Sequence, residues 1–166
     1  MATKPAADQV TVQVTIESAS LSPEQISSEI GMGWDRATRI GDPRGRTGKQ
    51  WECNAWQVRV HKNSSDNGGM SAHELLPLCI DELVERIRPY ANGLRKVVST
   101  EGGEFAMWVM STSVPGISLN REIVAFIGEL GLSLDIDIVL SAEEGHSPQN
   151  TQNVSALGHT KPSRWP

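Results

Sequence analysis

Residues 41–50, GDPRGRTGKQ, end in the Gly48-Lys49 pair with which a phosphate-binding P-loop closes. Such a loop needs a glycine five positions before its last glycine, and a hydroxyl after the lysine to hold magnesium. Pro43 and Gln50 occupy those positions, and the following residues are strand-like, so the phosphate reading fails. HELLP, from His73, begins like the zinc helix H-E-x-x-H, in which two histidines one turn apart hold the metal and the glutamate activates water. Pro77 stands where the second histidine is needed. Asp135 and Asp137 fall on one face of an alternating segment and could offer two carboxylates to a cation. No third acid lies beside them, and they read as the polar face of a strand. His61, His146 and His159 fall in loop or tail segments, where single solvated histidines are ordinary. Cys53 and Cys79 have neither C-x-x-C spacing nor a histidine at zinc-finger distance and read as reduced core thiols. No nucleophile elbow is present. No metal and no cofactor is expected.

One stretch survives these eliminations. Residues 33–56, GWDRATRIGDPRGRTGKQWECNAW, bring Trp34, Trp51 and Trp56 together with Arg36, Arg39, Arg44, Arg46 and Lys49. Arginine pairs with phosphate and tryptophan stacks on bases, which would suit an anion or a nucleic acid. The same residue types are enriched at protein hot spots. A third account keeps the tryptophans in the core and lets the arginines solvate a hairpin. Residues 34–62 hold seven basic and three acidic side chains, so a chain of net charge −5 carries +4 there and −9 elsewhere. That balance disfavours nucleic acid, whose binding requires a basic face. The candidate binding residues are Trp34, Arg36, Arg39, Arg44, Arg46, Lys49 and Trp56.

The elements that must position this stretch are legible around it. With 166 residues and 38% hydrophobic content the chain supports one ordinary core. VTVQVTIE, residues 10–17, alternates as a half-buried strand. LSPEQISSEIG supplies a helix with Ser22 as N-cap, Pro23 at its first position, Gln25 closing a capping box and Gly31 as stop. RATRI and QWECNAWQVRV predict two strands joined by a long basic loop, with Trp51 in the core. From Met70 to Val98 a helical period places Leu76, Ile80, Leu83 and Ile87 on one face, with Ser71 and Glu74 as a capping box and Pro89 ending or bending the helix. FAMWVMSTSV is strand-like, NREIVAFIGELG is a helix capped by Asn120 and stopped by Gly131, and LSLDIDIVL alternates again. SLSPEQISSEIGMG and SLNREIVAFIGELGLS share cap and stop residues, a candidate duplication of a β-α-β unit.

The expected fold is therefore α/β of the α+β type, in the order β-α-β-β-α-β-α-β. Its sheet is mixed or antiparallel with helices largely on one face. The expected organisation is a flexible leader over residues 1–9, one domain over 10–140 and a flexible polar tail over 141–166 in which Trp165 is the one large aromatic. Without an 18-residue apolar run or a secretory h-region, a cytoplasmic location and no membrane are expected.

The chain resembles a bacterial family known as domain of unknown function 4279. The likeness rests on the opening strand, LSPEQISSEIGMG, Arg39-Ile40-Gly41 after Trp34, Trp51, the leucine-spaced middle helix and LGLSLDIDIVL, and spans about residues 10–140. It implies a small α/β domain and names no activity. The reading by elimination is a non-enzymatic binding domain, an inhibitor, immunity factor or adaptor whose protein partner offers an acidic surface to the basic stretch. A small-ligand or nucleotide-binding regulatory domain, or an enzyme whose site is dispersed in sequence, remain as alternatives.

Overall fold

A computed structural model describes residues 7–45 and 48–141. Most of the expected leader, Arg46 in the basic loop, and the tail with His146, His159 and Trp165 lie outside the described residues. The elements run β1 (Gln9–Ser18), α1 (Pro23–Ile30), β2 (Arg36–Thr38), β3 (Asn54–Asn63), α2 (Ala72–Ile87), a 3-10 turn (Arg88–Tyr90), α3 (Ala91–Glu101), β4 (Glu104–Ser111), α4 (Arg121–Leu130) and β5 (Ser133–Leu140). The sheet order is β2-β3-β1-β4-β5. Every neighbouring pair is antiparallel except β4–β5, so the sheet is mixed.

The alternation of β1 decides which face is covered. Val12 stands between Val60 and Met107, Val14 between Val58 and Phe105, and Ile16 opposite Trp56. All of these side chains are buried. The apolar stripe of α2, with Leu76, Ile80, Leu83 and Ile87 as its period requires, closes over them. The other face carries Thr11, Gln13, Thr15 and Glu17 of β1, and the apolar stripe of α2 packs on the opposite one. A sheet of mainly antiparallel strands tolerates such a polar open face.

Local chemistry sets the helix ends. Ser22 and Gln25 form the capping box of α1, and Gly31 ends it at φ 83°, a left-handed position that suits glycine. Ser71 and Glu74 exchange bonds at the start of α2, where Asp8 also accepts the Ala72 amide at 2.8 Å. Pro77 sits inside α2 on its solvent side. Pro89 falls in the 3-10 turn, so the expected long helical segment becomes two helices. The candidate duplicated units share their caps, since Asn120 caps α4 and Gly131 ends it at φ 75°. They differ in the sheet: β4 and β5 are parallel neighbours, whereas β3 lies between the parallel pair β1 and β2.

The two strands expected in the basic stretch are corrected. β2 has three residues, and β3 starts only at Asn54, which leaves Trp51 outside any strand. The cause is local. The Ile40 amide donates to the Asn54 Oδ1 at 3.0 Å, which withdraws it from the ladder just where β2 stops.

Candidate functional site

Residues 39–45 and 48–53 form an arm rather than a simple turn. At its base the Arg39 amide donates to Asp42 Oδ2 at 2.7 Å, and the Gly41 amide donates to the Trp51 carbonyl at 2.9 Å. The Trp51 amide returns a bond to the Asp42 carbonyl at 2.9 Å, and the Arg44 amide reaches the Lys49 carbonyl at 2.7 Å. These bonds make a narrow ribbon with Arg44 and Lys49 near its tip. Gly41 turns the ribbon at φ 87°, a conformation that side-chain-bearing residues rarely adopt.

Three polar anchors bolt the base of the arm to the helices. Asn54 Nδ2 donates to the Leu21 carbonyl at 3.0 Å, just before α1. Arg39 pairs with Glu24 in the first turn of α1. Asp35 takes both terminal nitrogens of Arg86 on α2, at 2.6 and 2.8 Å, and also the Arg59 amide at 2.7 Å. Partial burial pushes the Asp35 carboxyl up, but Arg86 and the Arg59 amide outweigh it and hold the group below the ordinary carboxylate range. Glu24 is likewise held low, first by its own backbone amide and then by Arg39.

Between the arm and the open face runs a cleft of about 1170 Å³. Arg44, Lys49, Trp51, Glu52 and Cys53 line it from the arm, Thr15 and Glu17 from β1, and Glu101 to Glu104 from the turn that leads from α3 into β4. Ser133 closes it at the start of β5. The Arg44 guanidinium stacks over the Trp51 ring at 4.7 Å from its centroid, which fixes both side chains on the cleft wall. Two cationic side chains and four carboxylates, those of Glu17, Glu52, Glu101 and Glu104, thus share its lining.

The residues singled out in the sequence scatter over this geometry. Arg44 and Lys49 line the cleft. Arg36 is exposed on β2, and Arg39 is committed to Glu24. Trp34 is half-buried against the core. Arg46 lies outside the described residues. Trp56 is a correction: it is fully buried, and its Nε1–H donates to Ser27 Oγ at 3.0 Å, so it cannot meet a partner. Trp51, expected in the core, is the tryptophan that lines the cleft instead. The phase of β3 carried this signal, because Trp56 shares parity with Val58 and Val60 and Trp51 does not.

The acidic side of the cleft was invisible in the sequence. Glu17, Glu101 and Glu104 are far from the arm along the chain and meet it only through the order of β1 and β4. The described residues that line the cleft include no histidine. Cys79 lies in the core, where burial pushes its thiol up to about 11 and keeps it protonated. No group of three metal-ligating side chains occurs among the described residues, and none of their helices is long and apolar enough to cross a membrane. The arrangement is equipped for hydrogen bonding and for pairing charges of both signs.

The chain belongs to the family described as Domain of unknown function (DUF4279), whose sequence model matches residues 8–141. That match covers the sheet, all the described helices and the arm. No curated protein and no solved structure matches the chain.

Proposed function

We propose that this protein is a non-enzymatic binding domain that holds a segment of a protein partner in the cleft between the arm and the open sheet face. The observation that carries this reading is the Arg44–Trp51 stack standing opposite the carboxylates of Glu17, Glu101 and Glu104. A small apolar ligand fits poorly in a wide cleft lined by so many charged groups, because such ligands favour enclosed, mostly apolar pockets. A polyanion would meet four carboxylates. A polypeptide with charges of both signs complements a lining of both signs, its acidic groups toward Arg44 and Lys49 and its basic groups toward the glutamates. The expected acidic partner surface thus becomes the half that meets the arm. Acting inside a bacterial cell by covering another protein's surface, as an inhibitor, immunity factor or adaptor would, is the role this supports.

The test is an affinity capture from the source cell with the parent chain, Trp51→Ala and the double variant Glu101→Arg/Glu104→Arg. One stoichiometric protein retained by the parent and lost by both variants is the expected result. With that partner purified, lower salt speeds association with the parent. Adenine nucleotides and single-stranded DNA are titrated in parallel. Tight binding of either one, abolished by Trp51→Ala and with no protein captured, would overturn the reading.

A further inference from the structure

The two edges of the sheet are unlike. β2 has three residues and carries the arm, whereas β5 is an edge strand of eight residues, all of them exposed. Long edges in natural proteins are usually blunted by lysine, proline or a bulge. Ser133–Leu140 contains no lysine or proline, and its register with β4 runs unbroken. Leu134, Ile136, Ile138 and Leu140 fall in the row of Phe105, Met107 and Val109, on the face the helices cover elsewhere, yet each is 39–54% exposed. The Ser133 and Ser141 amides bond back to the Gly103 and Ser111 carbonyls. The even-numbered amides of β5 therefore point outward, and that of Ile136 is held by the neighbouring Asp135 carboxylate at 3.0 Å.

We infer that this edge pairs with β5 of a second copy of the chain, antiparallel about a twofold axis at Ile138, joining the two sheets into one. A twofold interface must be complementary to itself. Directly opposite residues of an antiparallel pair share a face, so any allowed register keeps the apolar row together. Charge chooses among the registers. Centred on Ile136, the pairing sets Asp135 against Asp137 on both sides of the axis. Centred on Asp137, it sets that carboxylate against its own copy. Centred on Ile138, Asp137 meets Val139 and Asp135 meets Ser141, so no like charges oppose one another, and a longer run of residues pairs than in the register centred on Val139, which separates the charges equally. Ile138 then forms the hydrogen-bonded pair on the axis, and the Leu140 carbonyl of the second copy takes the Ile136 amide from Asp135.

Two measurements on the full chain test this. Analytical ultracentrifugation over about 1 to 100 µM should show a species of twice the 18.1 kDa chain mass, growing with concentration. Ile138→Lys should be monomeric throughout, with a melting temperature equal to that of the parent at dilutions where the parent is also monomeric, because the side chain is exposed. In a Cys53→Ser background, Ile138→Cys should form an intermolecular disulfide with oxidised glutathione, since such a pair spaces its Cα atoms by about 5.5 Å. Ile136→Cys should not, because its copy would stand roughly 14 Å away. A parent chain that stays monomeric, an Ile138→Lys variant that still dimerises, or equal crosslinking at both positions would overturn the pairing.

Discussion

Gly93 sits in the first turn of α3 with ordinary right-handed backbone, where replacement by alanine normally favours a helix by about 1 kcal/mol. The packing reverses that sign. A Cβ at Gly93 would lie 2.5 Å from the Ile30 carbonyl oxygen, 2.7 Å from Ile30 Cα and 2.9 Å from the Glu29 oxygen. All three are backbone atoms at the end of α1, so no side chain can rotate out of the way. Relief requires α1 and α3 to separate, and overpacking of that kind costs roughly 1–3 kcal/mol. Because the clash is with backbone, the upper part of that range, about 2–3 kcal/mol, applies; set against the propensity gain, Gly93→Ala should destabilise the domain by about 1–2 kcal/mol and lower its melting temperature by roughly 2–8 °C. Gly128 provides the control, because it is helical and a Cβ there meets nothing within 4 Å. Gly128→Ala should therefore gain about 0.5–1 kcal/mol from propensity alone. Urea titration and thermal melts by circular dichroism read both changes. If Gly93→Ala melts at or above the parent, the close approach of α1 to α3 is wrong.

Two further outcomes follow from the arm and its anchors. Trp56→Ala should cost roughly 3–5 kcal/mol in urea titrations, while Trp51→Ala, on the cleft wall, should cost about 1 kcal/mol; equal costs would return Trp51 to the core. Asp35→Asn should lose about 1–2 kcal/mol at neutral pH, a modest figure because the Arg86 pair is partly exposed. Because the folded Asp35 carboxyl titrates below its unfolded value near 3.8, its contribution is present in full above that value and disappears as pH falls through the lower folded value. The stability gap between parent and Asp35→Asn should accordingly be flat from about pH 7 to about pH 5 and close only in stronger acid; a gap that closes by about pH 5 would refute the pairing with Arg86.

What could be read from the sequence was what depends on near neighbours. The period of Val10 to Ile16, the Ser22 and Asn120 caps and the stripe of α2 are each fixed by residues within a turn or a pleat of one another. Strand extent was less legible, because β2 ends where the Asn54 side chain captures the Ile40 amide, a contact no alternation announces. The site was only half legible. Arg44, Lys49 and Trp51 lie within one short segment, but the carboxylates of Glu17, Glu101 and Glu104 arrive on β1 and on the turn from α3 into β4, which come together only through a long-range strand order. Gly93 carried no signal, since a helical glycine reads the same whether its missing side chain faces solvent or another backbone.

The two surfaces bear on each other through β5. Ser133 lines the cleft and also begins the edge strand whose proposed axis passes through Ile138. Opposite residues share a face in an antiparallel ladder, so the pairing would turn both clefts toward the same side of the joined sheet. Along the strands the two Ser133 residues would stand roughly 35 Å apart, five residues of rise on either side of the axis. The arm is already anchored to α1 and α2 through Asn54, Arg39 and Asp35, so neither cleft has to be ordered when a partner arrives. A partner that is itself twofold could then occupy both clefts at once, its second contact strengthened by the high effective concentration that the first creates. Ile138→Lys separates the contributions: it should leave the affinity of a single cleft unchanged and remove the gain from the second, whereas loss of both would place the axis residue in the partner's footprint.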